Sequence, residues 1–442
     1  MTITVVAGGR IIDQRGQRPG DVVVDDATGL VVEVAAPGTA ANGPGTSVLD
    51  AVGCLVCPGF VDLNAHLRQP GNEGAETVET AARAAALGGY TAIVAMPDTD
   101  PCTDNAAVVS EILALAKSAA CDVVPAAALS ANRDGTALAP LGELLDAGVR
   151  LFSDADRSIQ DPALLRRAME YLGGVAESAA VTAVVADRPE IRGLAAGGVM
   201  HEGDVSARLG LPGRPAVAEE LAVVRDLALA RLTGTPLHLQ QITTATAVAL
   251  VRAAKAEGQA VTAEVSPHHL VLDESACAAY DPNVKTRPPL RTEADVVALR
   301  AGLLEGTIDA VATDHSPWAV DTKEQPFDQA PFGVIGLETA VAVLLTELDA
   351  TLEQLLPALS WQPAAIASLE DRQGGPIEVG RPASLTVFDP DLAWTVEPGR
   401  MASRSVNTPF AGRTLTGRAR HTIVGGRPTV IAGHIATEEG TG

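Results

Sequence analysis

Short apolar segments alternate with longer stretches of helical periodicity through the middle of the chain, between residues 56 and 348. Segments that are apolar throughout predict strands buried on both faces of a parallel sheet. Eight consecutive strand–helix units in roughly 300 residues predict a closed (β/α)8 barrel. An open doubly wound sheet is the alternative, but the first strand lacks the GxGxxG turn that would lead into a helix.

The sequence also predicts where each strand and helix begins and ends. Gly173-Gly174, for example, is expected to end the fourth helix. The strands are Val56–Asp62, Thr91–Met96, Asp122–Ala127, Leu151–Ser153, Val181–Val185, Leu237–Ile242, Val261–Val265 and Ala310–Ala312. The helices are Thr77–Leu87, Ala106–Ala119, Leu141–Ala147, Pro162–Tyr171, Ala216–Leu232, Ala245–Ala256, Ala294–Leu304 and Leu337–Leu348.

The two ends of the chain have a different pattern, with short β-rich segments separated by Gly, Asp and Pro. Because the termini of a domain often lie close together, we expect both ends to join one small composite β-sandwich domain. The predicted division is residues 1–55 plus 380–442 for this domain and residues 56–379 for the barrel.

Composition narrows the class of protein. The chain carries 32 Lys and Arg against 55 Asp and Glu, a formal net charge of −23. This charge excludes a general nucleic-acid binder and argues against docking on anionic membranes. Its five cysteines are sparse and odd in number, as expected of free thiols in a reducing cytosol. Neither a secretory signal nor an apolar segment of transmembrane length is evident, so a cytoplasmic location is predicted.

In a barrel of this kind the chemistry lies where the strands end, and polar residues follow most of the predicted strands. Their sequences resemble those of dihydroorotases, which belong to the metal-dependent amidohydrolase superfamily. The matching motifs are Pro58-Gly59-Phe60-Val61-Asp62, His66-Leu67-Arg68-Gln69-Pro70-Gly71, Met96-Pro97-Asp98-Thr99, Gly198-Val199-Met200-His201-Glu202-Gly203, Glu264-Val265-Ser266-Pro267-His268-His269, Pro288-Pro289-Leu290-Arg291, Ala312-Thr313-Asp314-His315 and Ser405-Val406-Asn407-Thr408-Pro409. The resemblance implies a barrel with a small β domain and the reversible, zinc-assisted cyclisation of carbamoyl aspartate to dihydroorotate.

The family's metal ligands are mostly replaced. Of the six positions that the resemblance implies, only His66 and Asp314 keep a ligand residue. The others are Asn64, Ala155, Val184 and Gln241. Zinc takes three or four nitrogen, sulfur or carboxylate ligands, so we expect no metal cofactor and only a vestigial site. A rebuilt oxygen-rich Mg²⁺ site from Asn64, Asp98, Asp154, Gln241 and Asp314 is a minor alternative.

The substrate side has changed as well. Arg68 matches the family arginine that grips the substrate carboxylate, although it could instead pair with an interior acid. Asp98 and Arg287 each replace a family asparagine, and Trp318 replaces a family histidine. We therefore expect a degenerate substrate pocket around Arg68, Asp98 and Arg287.

Three hypotheses follow. The first is a catalytically inactive dihydroorotase-like protein, which the resemblance suggests would be an oligomeric structural scaffold for aspartate transcarbamoylase in pyrimidine biosynthesis. The second is an active dihydroorotase with a reorganised metal centre, in which Asp314 is the general base and Arg68 holds the carboxylate. The third is a non-catalytic barrel that binds an anion through Arg68 and Arg287.

Overall fold

A computed structural model describes residues 3–40, 43 and 45–436. Within these residues the strands are β1 (Ile3–Ala7), β2 (Arg10–Asp13), β3 (Gly16–Pro19), β4 (Asp21–Asp25), β5 (Leu30–Ala35), β6 (Thr46–Asp50), β7 (Leu55–Pro58), β8 (Phe60–Ala65), β9 (Tyr90–Ala95), β10 (Asp122–Pro125), β11 (Leu151–Phe152), β12 (Val184–Asp187), β13 (Met200–His201), β14 (Gly213–Arg214), β15 (Leu237–Leu239), β16 (Val261–Val265), β17 (Ala310–Val311), β18 (Leu385–Thr395), β19 (Thr414–Val424), β20 (Arg427–Ile431) and β21 (His434–Ile435).

The α-helices of the same residues are α1 (Val78–Leu87), α2 (Ala106–Leu115), α3 (Leu141–Asp146), α4 (Pro162–Ala179), α5 (Arg192–Ala195), α6 (Asp204–Leu209), α7 (Val217–Thr233), α8 (Ala245–Ala256), α9 (Pro267–Val271), α10 (Glu293–Leu304), α11 (Val320–Lys323), α12 (Ala340–Glu347), α13 (Leu352–Leu356) and α14 (Gln362–Ile366). Several begin at a residue whose side chain accepts a backbone N–H bond, as at Thr77 and Thr244. None of the described helices combines the length and apolar character needed to cross a membrane.

Eight parallel strands form the barrel that the sequence predicts, in the ring order β8, β9, β10, β11, β12, β15, β16 and β17. Two isolated parallel bridges complete the ring, Ala127 to Phe152 between β10 and β11 and Ala65 to His315 between the last and first strands. The (β/α)8 fold class is therefore confirmed.

Side chains alternate along the barrel strands between two apolar clusters. Val61 and Leu63 point into the barrel interior together with Ala92 and Val94, while Ile93 packs with the surrounding helices. Small residues fill the narrow interior, consistent with a chain in which aromatic residues are only 3%.

Strands from both ends of the chain share one seven-stranded sheet, in the order β21, β20, β19, β18, β7, β2 and β3. A second sheet, in the order β5, β4, β1 and β6, comes entirely from the amino-terminal part. Residues 1, 2, 41, 42, 44 and 437–442 of the predicted β domain lie outside the described residues.

The first predicted barrel strand is in fact two strands. Leu55–Pro58 pairs with β18 in the seven-stranded sheet, and Phe60–Ala65 belongs to the barrel. Gly59 joins them at a point where a side chain would not fit, because an added Cβ would lie 2.0 Å from Oγ1 of Thr91. This glycine lets one chain segment serve both domains.

The predicted end of the fourth helix is wrong. Helix α4 continues through Gly173 and Gly174 and ends at Ala179, where Ala180 adopts a left-handed conformation with φ of 54°. Its buried face includes Leu172 and Ala176, on either side of the glycines. Tertiary packing therefore outweighs the cost of roughly 1 kcal/mol for each helical glycine.

Candidate active site

A cavity of about 290 Å³ opens at the carboxyl ends of the barrel strands. Its charged and ionisable lining residues are His66, Arg68, Asp98, Arg133, Asp156, Arg157, Arg188, Arg287 and Asp314. Larger cavities lie against the β domain, away from these strand ends. Barrel enzymes of this fold carry their catalytic residues at the carboxyl ends of the strands, which favours the smaller cavity as the functional site.

His66 directly follows β8 and is held between two carboxylates. Its Nδ1 lies 2.7 Å from Oδ1 of Asp98, and its Nε2 lies 3.5 Å from Oδ1 of Asp314. Burial alone would lower the pKa of His66, but Asp98 and Asp314 outweigh it and raise this pKa to about 9. Although Asp98 is also desolvated by burial, His66 and Arg68 hold its pKa well below the usual range.

Arg68 is engaged by protein groups on three sides. Its Nη1 donates to Oδ2 of Asp98 at 2.7 Å, and its Nε donates to the carbonyl of Pro317 at 3.1 Å. The guanidinium also lies over the Trp318 ring, 4.7 Å from its centroid. Of the two roles that the sequence left open for Arg68, these contacts match pairing with an interior acid.

Asp314 lies just beyond β17 and is positioned by buried neighbours. Asp62 anchors the preceding residue, because its carboxylate accepts from the backbone N–H of Thr313 at 2.6 Å and from the Thr313 hydroxyl at 2.7 Å. Nε2 of His268 lies 3.8 Å from Oδ2 of Asp314, and the Ser316 hydroxyl donates to Oδ1 at 3.5 Å. Asp314 makes only long contacts with its neighbours, so its carboxylate can accept a proton or a hydrogen bond from a ligand.

Asn64 and Gln241 are buried, but neither lines the cavity. Asn64 donates through Nδ2 to Oε1 of Glu264 at 3.0 Å, and the other oxygen of Glu264 bonds His238 at 3.0 Å. Oδ1 of Asn64 and both polar atoms of the Gln241 amide have no hydrogen-bond partner among the described residues. Asn64 is therefore part of a buried network in the barrel interior.

The two remaining expected ligand positions have no donor atom. Ala155 is packed with the interior barrel residues. Val184 begins β12, and neither residue lines the cavity. The neighbouring Asp154 accepts from the backbone of Leu129 and Ser130, at 2.8 and 3.0 Å, so its carboxylate is committed elsewhere.

The donor set does not fit the family's zinc. Of the six family ligand positions, only His66 and Asp314 carry ligand atoms and line the cavity. The described part of the chain holds no group of three or more His, Cys, Asp or Glu residues arranged for a metal ion. Asp98 and Asp154, which the Mg²⁺ alternative requires, are bonded to protein groups instead. No step of the chemistry below depends on a metal.

Sequence reasoning missed Arg188, Arg133 and Asp156, which all line the cavity. Arg188 follows β12 directly, whereas Asp187 faces away and accepts from Ser158 at 2.8 Å. Alternation along the strand places residues 186 and 188 on the same face, and Ala186 belongs to the barrel interior. That periodicity is the signal that could have identified Arg188. No motif surrounds it.

The third predicted pocket residue, Arg287, lines the cavity but is also paired. Its Nη2 lies 2.9 Å from a carboxylate oxygen of Glu190 and 3.0 Å from the carbonyl of Asp156. A shared network of arginines and carboxylates therefore forms one wall of the cavity.

Two family profiles and several curated proteins match this chain. A family profile described as "Dihydro-orotase-like" matches residues 53–247, and one described as "Amidohydrolase family" matches residues 307–430. The dihydroorotase of Pelotomaculum thermopropionicum is 44% identical over 92% of this chain and 96% of its own. The dihydroorotase of Streptomyces coelicolor is 42% identical over 98% of this chain and 100% of its own.

Solved structures support the fold. L-hydantoinase (dihydropyrimidinase) from Arthrobacter aurescens superimposes with a TM-score of 0.85 at 24% identity, covering 99% of this chain and 98% of that one. Dihydropyrimidinase from Brevibacillus agri gives a TM-score of 0.83 at 22% identity, with coverage of 100% and 98%.

These relatives correct the first hypothesis. Curated dihydroorotases that are 40–44% identical over nearly the whole chain support an active enzyme, so the prediction of a catalytically inactive scaffold is wrong. Association with aspartate transcarbamoylase and a cytoplasmic location stay predictions. Full-length similarity to proteins named dihydroorotase, on an amidohydrolase barrel, means that this chain belongs to the dihydroorotase family of the amidohydrolase superfamily.

Proposed function

We propose that this protein is an active dihydroorotase, which interconverts carbamoyl aspartate and dihydroorotate. The observation that carries the proposal is the 40–44% identity to curated dihydroorotases over more than 90% of the chain. The proposed site is the cavity around Asp314, at the strand ends where barrel enzymes carry out their chemistry.

In the hydrolytic direction, the oxygen of a water molecule bonds to the carbonyl carbon of the ring amide, and Asp314 accepts the proton that the water loses. The carbon–nitrogen bond then breaks and the departing nitrogen takes up that proton from Asp314. The new carboxyl group releases the second proton of the water to solvent and becomes a carboxylate. Ring closure is the reverse, with loss of water. Asp314 suits this role because its recorded side-chain contacts are all long, 3.5 Å to His66, 3.5 Å to the Ser316 hydroxyl and 3.8 Å to His268.

The charge around the cavity suits an anionic substrate. Five arginines line it against three aspartates, although the whole chain carries a net charge of −23. A locally positive cleft attracts anions, while the acidic remainder of the protein surface repels them. Carbamoyl aspartate carries two carboxylates, so this field favours its entry.

The proposal differs from the family's zinc-assisted reaction, because the residues here do not supply that metal's ligands. The catalytic groups are instead side chains of this chain. In the absence of a Lewis acid, the carbonyl oxygen of the substrate must be stabilised by hydrogen-bond donors and positive charge in the cavity.

The test is an assay of the purified protein in both directions, together with the variant Asp314→Asn. We expect measurable turnover and a loss of about 100-fold or more in kcat for the variant, the usual scale for removing a general base. The matched control is Asp321→Asn, the same change at an exposed position outside the cavity lining. Absence of turnover in the unmodified protein, or equal rates for Asp314→Asn, would refute the proposal.

A further inference from the structure

Arg188 differs from its neighbours in the cavity. It lines the cavity, is only 7% exposed and donates from Nη1 to the carbonyl of Arg287 at 2.8 Å. Its Nη2 is buried and has no hydrogen-bond partner among the described residues. Buried polar groups are nearly always paired, so a guanidinium nitrogen left in this state calls for an explanation.

The carboxylates near Arg188 are bonded to other groups. Asp156 pairs with Arg133, and Glu190 pairs with both Arg214 and Arg287. Asp314, the third acid whose charge acts on Arg188, faces His66 and His268. None of these acids accepts a hydrogen bond from Arg188.

The other cavity arginines are already engaged. Arg68 donates to Asp98 and stacks on Trp318, and Arg287 is held through Nη2 by Glu190. Arg157 is exposed at the rim. Of the buried arginines that line the cavity, Arg188 is therefore the one without a carboxylate partner in the part of the chain that the structure describes.

Arg188 keeps its charge under physiological conditions. Burial, followed by repulsion from Arg287, lowers its pKa to about 10, which still leaves the guanidinium protonated at neutral pH. A buried positive charge without a partner is costly, and a carboxylate is the group that best relieves that cost through charge-assisted hydrogen bonds. An anion that enters the cavity would therefore be stabilised at the Arg188 side chain.

We propose that Arg188 is the principal side chain that binds the substrate's carboxylate. The inference rests on the proposed function for the identity of the substrate. The ligand class follows from the site itself, a small carboxylate anion held against the Arg188 wall of the cavity. This assignment moves the anchoring role from Arg68, where the family resemblance placed it, to a residue on another strand.

The test compares two ligands that share a ring and differ in one group, dihydroorotate and dihydrouracil, which lacks the carboxylate. Isothermal titration calorimetry in the Asp314→Asn background, which removes the proposed general base, measures both affinities with turnover suppressed. We expect Arg188→Gln to weaken dihydroorotate binding at least tenfold and to leave dihydrouracil binding within twofold. The control is Arg166→Gln on the exposed face of α4, where Arg166 pairs with Glu170, and this variant should change neither affinity.

Thermal unfolding separates a binding role from a structural one. A structural arginine lowers the melting temperature when it is replaced. We expect Arg188→Gln to leave the melting temperature unchanged or raised, because the substitution removes a buried charge without a carboxylate partner. Arg188→Lys should recover only part of the dihydroorotate affinity, since an ammonium cannot reproduce the planar fork of a guanidinium.

Each outcome decides between the two proposals. Three outcomes would overturn the role of Arg188. Dihydroorotate affinity could be the same with and without the Arg188→Gln change, the change could weaken both ligands equally, or the protein with Arg188 intact could fail to bind the carboxylate ligand. Turnover with Arg188-independent binding would overturn that role alone. Carboxylate binding that depends on Arg188 without turnover would support it and overturn the proposed function.

Discussion

Nδ1 of His66 lies 2.7 Å from Oδ1 of Asp98. This contact fixes the orientation of the imidazole, and Asp98 and Asp314 together raise the pKa of His66 to about 9. The residue that looks most like a surviving ligand in the sequence is thus part of a salt-bridged cluster.

Chelation should therefore have no effect. We expect dialysis against a strong chelator to leave both the catalytic rate and the melting temperature unchanged, because only two of the six family ligand positions keep a ligand residue and no described group of three is arranged for a metal ion. Activity assays and differential scanning calorimetry before and after dialysis provide the measurement. A fall in rate that added zinc restores would show that a metal centre forms from residues this structure does not bring together.

Asp98→Asn should strengthen substrate binding. The change removes one negative charge from the cavity and frees Arg68, whose Nη1 now donates to Asp98. We expect KM for carbamoyl aspartate to fall by about tenfold, a coupling of roughly 1.4 kcal/mol. Initial-rate kinetics measure it, with Asp100→Asn as the control at an exposed position outside the cavity lining. An unchanged or raised KM would show that Asp98 does not oppose the substrate.

The barrel was predictable because its signals are local and repeated. Strand β16 and helix α8 have the predicted boundaries, and α8 begins at a Thr244 cap that is visible in the sequence. The continuation of α4 through Gly173 and Gly174 was not predictable, because packing against the barrel decides it. Strand β18, Leu385–Thr395, is one element although it contains Pro390, and its register with β19 shifts between Asp389 and Ala393.

The site was predictable only where it follows a motif. His66, Arg68 and Asp314 lie in recognisable segments, and the structure brings them to one cavity. Arg188 lies in no motif, and its importance depends on which neighbours are already paired with one another. That information belongs to the folded network of Asp156, Glu190 and the surrounding arginines and is absent from any local stretch of sequence.

Glu264 should contribute strongly to stability. Its side chain is fully buried and accepts from Asn64 and from His238, both at 3.0 Å. We expect Glu264→Ala to lower the free energy of unfolding by about 3–5 kcal/mol, because two buried polar partners lose their acceptor and a cavity is left. Denaturant titration measures the change. Glu257→Ala, at an exposed helix end, should cost no more than about 0.5 kcal/mol, and similar losses for both variants would contradict the prediction.

Glu338 should make stability depend on pH. Burial raises its pKa to about 7 even though it accepts from the backbone N–H groups of Ala402 and Ser403. An acid whose pKa is raised in the folded state stabilises the fold below its unfolded pKa, near 4.5, and loses that contribution as pH rises through 7. We expect Glu338→Gln to unfold at a higher temperature than the unmodified protein at pH 8, with a smaller difference at pH 5. A difference that does not vary with pH would contradict this assignment.

The pairing of β7 with β18 has a consequence for synthesis on the ribosome. Pro58 pairs with Leu385, so the strand that leads into the barrel has β2 on one side but lacks its other neighbour, β18, until most of the chain has been made. At about 5–20 residues per second, this interval is on the order of 20–60 s. During that time the exposed edge of β7 is open to pairing with other nascent chains. The fold can therefore be completed only after the last strands have been synthesised. A chain that stops before β18 would expose an unpaired, apolar edge of β7 to chaperones and proteases.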